Sequence, residues 1–240
     1  MNLFFKNRNR RQAGFSLIEL MVSILILVVV MGVIFKQVDN IQINAKRESV
    51  KLDLTQESRE FVDQFARDIH MSGYPISKLY QTQGGINDQH VAAGLVEASA
   101  TALRFEGDVY GDGTVYSVVY AYFLSDPNDP NCPCLRRSVL QKVAGDPRGT
   151  PVGAQTAPQY YTQVQNVVDP KGQAQGIFTY FKADGTEIDP GAGLDLVNNQ
   201  ATIQQIDAIK VNLNTLSKQY DPQTGRQTVN NIATIAELEN

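Results

Sequence analysis

Tryptophan is absent from this 240-residue chain, and histidine and cysteine occur twice each. So few imidazoles and thiols leave little material for general acid–base, nucleophilic or metal chemistry. Two cysteines cannot build a disulfide framework, and the single Cys132-Pro133-Cys134 run lacks the ligands of a structural zinc. Proline is missing from everything before Pro75, so no proline interrupts a helix over Phe15 to Met71. Acids are missing from residues 1–14, which hold Lys6, Arg8, Arg10 and Arg11. The formal charge of the whole is −4; without those four bases the remainder stands at −8. A body this acidic argues against nucleic acid as a partner, because phosphate binding needs clustered Lys and Arg.

What is present begins with "RNRRQAGFSLIELMVSILILVVVMGVIF". From Phe15 to Phe35 every residue is apolar or small except Glu19. Such a helix is about 30 Å long, enough to cross a bilayer core. The bases before it place residues 1–14 in the cytoplasm and the body across the membrane. A cleaved secretory signal would need a shorter apolar region and a small-x-small site after it, and none follows Phe35. A plain signal anchor explains the charges and the length and leaves Glu19 as an acid that simply reaches the headgroups, since a carboxylate costs about 2.5–3.5 kcal/mol near the centre of a spanning helix and less near the membrane face.

The run "GFSLIELMV" (Gly14–Val22) resembles the prepilin processing motif of type IV pilins and type II secretion pseudopilins. The resemblance implies cleavage after Gly14 and N-methylation of Phe15 by a prepilin peptidase/N-methyltransferase. The cut precedes the apolar helix, so the arm stays on the mature protein. Glu19, four residues from the new amine, is implied to pair with the N-terminal amine of a neighbouring subunit. Main structural pilins of the family often carry a proline further along the arm. Here that region reads "MGVIFKQV", with Gly32 and no proline, as in a minor subunit.

Beyond Lys36 the pattern turns amphipathic. Val50, Leu54, Phe61, Phe65 and Ile69 recur at spacings of four and seven, with Ser58 in the remaining turn and Val62 and Ala66 widening the stripe. Charged residues, among them Asp63, Arg67 and Asp68, are assigned to the other sides. Gly73 is positioned as a left-handed cap and Pro75 follows it. The apolar stripe is too short for a stable coiled coil and fits packing on the chain's own sheet. "QESREFVDQFARDIHMSGY" also resembles the equivalent region of PilW-like minor pilins and the related J-type pseudopilins.

Strands are expected in "TALRFEGDV" and "TVYSVVYAYFL" as a hairpin around "YGDG", in "CLRRSVLQKV", in "GIFTYFKADGTEI" as a hairpin about Asp184–Gly185, and in a last pair, "IDAIKVNLNTLSKQY" and "QTVNNIATIAEL". Residues 75–94 and 145–158 read as loop. The expected fold is α+β, a long N-terminal helix packed on an antiparallel β-sheet head. The expected division is 1–14 leader, 15–35 membrane or filament-core helix, 36–73 amphipathic helix and 74–240 head.

Candidate chemistry in the head is sparse. "GDVYGDGT" lacks the alternation of a calcium loop, with Tyr110 in the middle and Val119 where an acid belongs, so Asp108 and Asp112 are assigned to the turn. Asp126, Asn128, Asp129 and Asn131 read as a solvated turn. Cys132 and Cys134, on the oxidising side of the membrane, are left as disulfide, free thiols or a bond to a partner. His70 and His90 join no catalytic constellation. No cofactor, metal or enzymatic activity is expected. The partners implied by the resemblance are the processing peptidase, other minor and major pilins or pseudopilins, and inner-membrane lipid before assembly. The expected function is a minor pilin that helps initiate a type IV pilus, with a type II secretion pseudopilin or a membrane-anchored binding or adhesion module as alternatives.

Overall fold

The computed structural model describes residues 16–76, 85–127, 129–130, 132–147, 158–168, 176–220 and 224–238. One helix, α1, runs from Leu17 to His70. Compact units divide between Glu48 and Ser49. In the first unit the helix is rich in β-branched residues, which are mediocre helix formers in water. In hydrocarbon the choice changes, because each backbone N–H and C=O must be satisfied within the segment, and a helix does that.

In the second unit the helix is held by its apolar stripe. Leu54, Ser58, Phe61, Phe65 and Ile69 are buried, as the four-and-seven spacing predicts. Arg67 and His70 in the last turn complement the negative end of the helix dipole. The helix then stops: Gly73 adopts φ +84 and its N–H donates to the Glu106 carbonyl at 2.9 Å. Glycine meets that backbone conformation at no steric cost.

The strands are β1 (Gly94–Ala98), β2 (Ala102–Gly107), β3 (Tyr116–Phe123), β4 (Cys134–Gln141), β5 (Tyr161–Gln165), β6 (Phe178–Phe181), β7 (Glu187–Ile188), β8 (Leu194–Asp195), β9 (Ala208–Tyr220) and β10 (Gln227–Glu237), with a short helix α2 (Gln200–Ile203) before β9. They form two sheets, β5-β4-β3-β2-β1-β8 and β10-β9-β6-β7, and every strand pair in them is antiparallel. The three expected hairpin pairings are all present: β2 with β3, β6 with β7, and β9 with β10. The architecture is α+β and pilin-like. The sequence reading left out β1, β5, β8 and α2, and did not separate two sheets.

Phe65 joins the layers. Its ring lies 5.4 Å from Tyr120 of β3 and 6.0 Å from Phe178 of β6, while Phe61 meets Tyr120 edge-on at 5.7 Å. Each such pair is worth about 0.5–1.5 kcal/mol beyond the area it buries. Around them Leu103, Phe105, Leu135, Ile209, Val211 and Leu213 complete one core shared by helix and both sheets.

The end of α1 seats directly on β2. Ser72 bridges Gly107, and a Cβ at Gly107 would overlap the Met71 carbonyl. Backbone cannot yield as a flexible side chain can. Gly107→Ala is therefore expected to lower head stability by about 1–3 kcal/mol, the usual range for overpacking, read as a lowered urea midpoint. An unchanged midpoint would mean that this close approach is not needed.

Candidate functional site: the apolar arm and the head that carries it

The arm is a continuous apolar surface. From Leu17 to Phe35 every residue is exposed in the isolated chain, and Glu19, in the first turn of α1, is the sole charge. A patch of this size does not persist in water and marks contact with lipid or protein. By length and composition α1 is able to cross a membrane. Ser23, the other polar side chain within this run, donates its hydroxyl to the Glu19 carbonyl at 2.8 Å, so its polarity is absorbed within the helix. Gly14 and Phe15, the residues of the predicted cut, lie outside the described residues, as do Asn128 and Asn131 of the Asp/Asn loop.

The far end of the helix carries a polar anchor that corrects the sequence reading. Asp68, assigned there to the helix surface, is 1% exposed. Its carboxylate accepts from the Tyr120 hydroxyl at 2.6 Å, Arg137 Nε at 2.7 Å and Gln64 Nε2 at 2.6 Å. Burial, reinforced by the Asp68 charge, pushes the Tyr120 hydroxyl well above the usual tyrosine range, so it stays a donor. Three donors offset the cost of burying the acid. The pattern held a signal: Asp68 follows Phe61 by seven, on the buried stripe.

Two further buried ion pairs, which sequence reasoning missed, lie on the other face of β2. Lys142 and Glu106 are 2.6 Å apart and both side chains are wholly buried. The Lys142 ammonium also donates to the Val91 carbonyl at 2.8 Å and to that of Ile86, while the Ala93 N–H donates to Glu106. Burial nonetheless leaves the Glu106 carboxyl above its ordinary range. Next to it Arg104 makes a forked contact with Asp146, 2.7 Å to each oxygen, and donates to the Ser117 hydroxyl at 2.9 Å. Strand alternation puts Arg104 and Glu106 opposite Leu103 and Phe105, on the expected solvent side. Residues 85–93 and 142–146 cover that side, and sequence pattern alone does not report a covering loop.

A third cluster closes the β3–β4 loop. Arg136 pairs with Asp126 and, at 3.0 Å, with Asp129, which also accepts from the Thr162 hydroxyl at 3.0 Å. These acids are half-buried pairing groups rather than the solvated turn that was expected. Cys132 and Cys134 are joined to each other by a disulfide. Asp129, Cys132 and Cys134 are the group of potential metal ligands found among the described residues. With the sulfurs bonded together and Asp129 held by Arg136, this state offers no thiolate to a metal. Asp108 and Asp112 serve the turn: Asp108 accepts from the N–H groups of Asp112 and Gly113, and Asp112 from Thr114 N–H and the Tyr116 hydroxyl.

The chemistry of the two ends differs in kind. In the head the buried charges pair with one another: Asp68 ties the helix to β3 and β4, and the other pairs tie loops to the sheet. The arm leaves its apolar side chains and one carboxylate for something outside the chain. Residues 9–35 match the family model of the prokaryotic N-terminal methylation motif. No curated protein and no solved structure matches the chain.

Proposed function

We propose that this type IV pilin-like chain is a minor pilin, a non-enzymatic subunit that helps start and build a type IV pilus. Prepilin-motif proteins are structural subunits, and the motif implies processing by the prepilin peptidase and assembly with other pilins. The observation that carries the reading is the exposed apolar arm of α1 with Glu19 in its first turn, directly beyond the predicted cut. In this reading the peptidase cuts after Gly14 and methylates the Phe15 amine. The arm then holds the chain in the inner membrane, N-terminus inward and head in the periplasm, until it packs among other arms. Glu19 pairs with a neighbour's Phe15 amine, since two buried opposite charges cost far less together than apart. The proline-free arm supports a minor rather than a bulk subunit, and the likeness of "QESREFVDQFARDIHMSGY" to the PilW-like group supports that kind.

Deleting the gene in the source bacterium, and scoring surface pili and twitching beside export of secreted enzymes, tests the reading. Loss of pili with normal export is expected. Loss of export with intact pili would assign the chain to type II secretion instead. Normal pili together with normal export would remove the assembly role.

A further inference from the structure

The β9–β10 hairpin ends in two unlike surfaces. At its base, the buried side chains of Leu95, Leu196, Ile203, Ile206 and Leu238 line a cavity of about 250 Å³, and the exposed Gln204 borders it. An apolar cavity of about 150 Å³ already holds a benzene ring. A second cavity, of about 350 Å³, shares Gln204 and Ile206 with the first and is lined by Asp184, Asp207 and Lys182. The chain around both is acidic. Residues 183–209 hold Asp184, Glu187, Asp189, Asp195 and Asp207 and no Lys or Arg, and Glu237 ends β10 opposite Ala208.

The tip of the hairpin has the opposite character. Tyr220 ends β9 with 67% of its surface exposed. Lys218 lies two residues before it, on the same face of the strand. Arg226 precedes Gln227, the residue paired with Tyr220, and both bases are exposed. Between residues 211 and 236 the sole acid is Asp221, which lies outside the described residues. β9 has thirteen residues, so tip and base are separated by about 40 Å at the rise of an antiparallel strand. They do not meet within one head.

We propose that the base of this hairpin is a docking site for the hairpin tip of a second copy of the chain, with Tyr220 in the apolar cavity and Lys218 and Arg226 against the acids beside it. A phenol ring suits the cavity in size: its body packs on the aliphatic wall, and its hydroxyl is left for a polar partner at the mouth, where Gln204 offers an amide. The bases of the tip face acids at the rim, which fixes orientation and disfavours acidic partners. Both the ring and the matching charges are supplied by this chain itself. Each copy carries both halves, so the contact closes as a reciprocal pair or runs on as a row. It goes beyond the pilus reading and does not depend on it.

The test uses the full chain in membranes of its source bacterium, with a photo-crosslinking residue at Gln219 and, as a remote control, at Tyr110. Expected from position 219, and not from 110, is an adduct of two copies, joined at residues 200–207 of the second by mass spectrometry. Tyr220→Ala, and separately Lys218→Glu/Arg226→Glu, should each reduce that adduct by about tenfold or more. Gln204→Trp, which fills the mouth from an exposed position, should do the same, and melting curves should stay unchanged throughout. No adduct of two copies, an adduct with a different protein in its place, or one joined away from the cavity would overturn the inference. Equal yield from the tip variants would overturn it as well.

Discussion

Glu19→Ala is expected to leave the chain processed and membrane-bound but to remove it from filaments. Among the described residues nothing needs the Glu19 side chain: it is exposed in the first turn of α1, and the hydrogen bond from Ser23 goes to its backbone carbonyl. Replacing it with alanine removes a carboxylate that is costly in lipid and favours a good helix former, so membrane residence should hold or improve. In a filament the same change leaves a neighbour's ammonium among apolar arms without a partner. Breaking one member of a buried ion pair costs about 3–5 kcal/mol, and about 3 kcal/mol already corresponds to about 100-fold in an equilibrium. The measurement is the ratio of chain in sheared filaments to chain in the membrane fraction. A fall of about 100-fold is expected; an unchanged ratio would contradict the pairing role.

Lys142→Met should damage the head as strongly as Glu19→Ala damages assembly. Lys142 and Glu106 are wholly buried, and one Glu106 oxygen, Oε1, has no partner among the described residues even with Lys142 in place. Removing the ammonium strands the acid and frees the carbonyls of Ile86 and Val91, for a loss of about 3–5 kcal/mol. The sign of the pH dependence follows from the raised Glu106 pKa. A carboxyl that holds its proton more tightly in the folded state favours folding below the unfolded pKa, and that contribution fades as pH rises through the folded value. Without Lys142 the folded value moves further up, so the variant's deficit should shrink as pH falls toward the ordinary glutamate range. Adding Glu106→Gln removes the stranded charge and should recover part of the loss. Urea midpoints of the near-ultraviolet tyrosine signal at neutral and acidic pH check both effects. A single variant within about 0.5 kcal/mol of the parent, an ordinary surface result, would show that the pair does not hold residues 85–93 to β2.

The helix and the long hairpins were legible because their signals are local. Leu54 through Ile69 repeat at helical spacing, and "YGDG" and Asp184–Gly185 mark turns between alternating runs. β5 was not legible: in "YTQVQ" only Val164 is buried, so the strand has almost no apolar period. β1 is five residues long, β8 two, and both depend on neighbours rather than on their own pattern. Asp68 was misplaced because its charge outweighed its position on the stripe. Arg104, Glu106, Lys142 and Asp146 escaped notice because their burial is made by loops distant in sequence. The arm was legible as a helix able to cross a membrane for the opposite reason: length and composition alone carry that signal, without any tertiary information.

The most direct measurement is the mass of the N-terminal peptide of the chain isolated from the membrane of its source bacterium. Expected is a peptide that begins at Phe15, carries one methyl group on its amine and retains the whole apolar arm. A peptide beginning at Met1, or a chain cut beyond Phe35, would contradict processing at Gly14 and with it the assembly role assigned to Glu19.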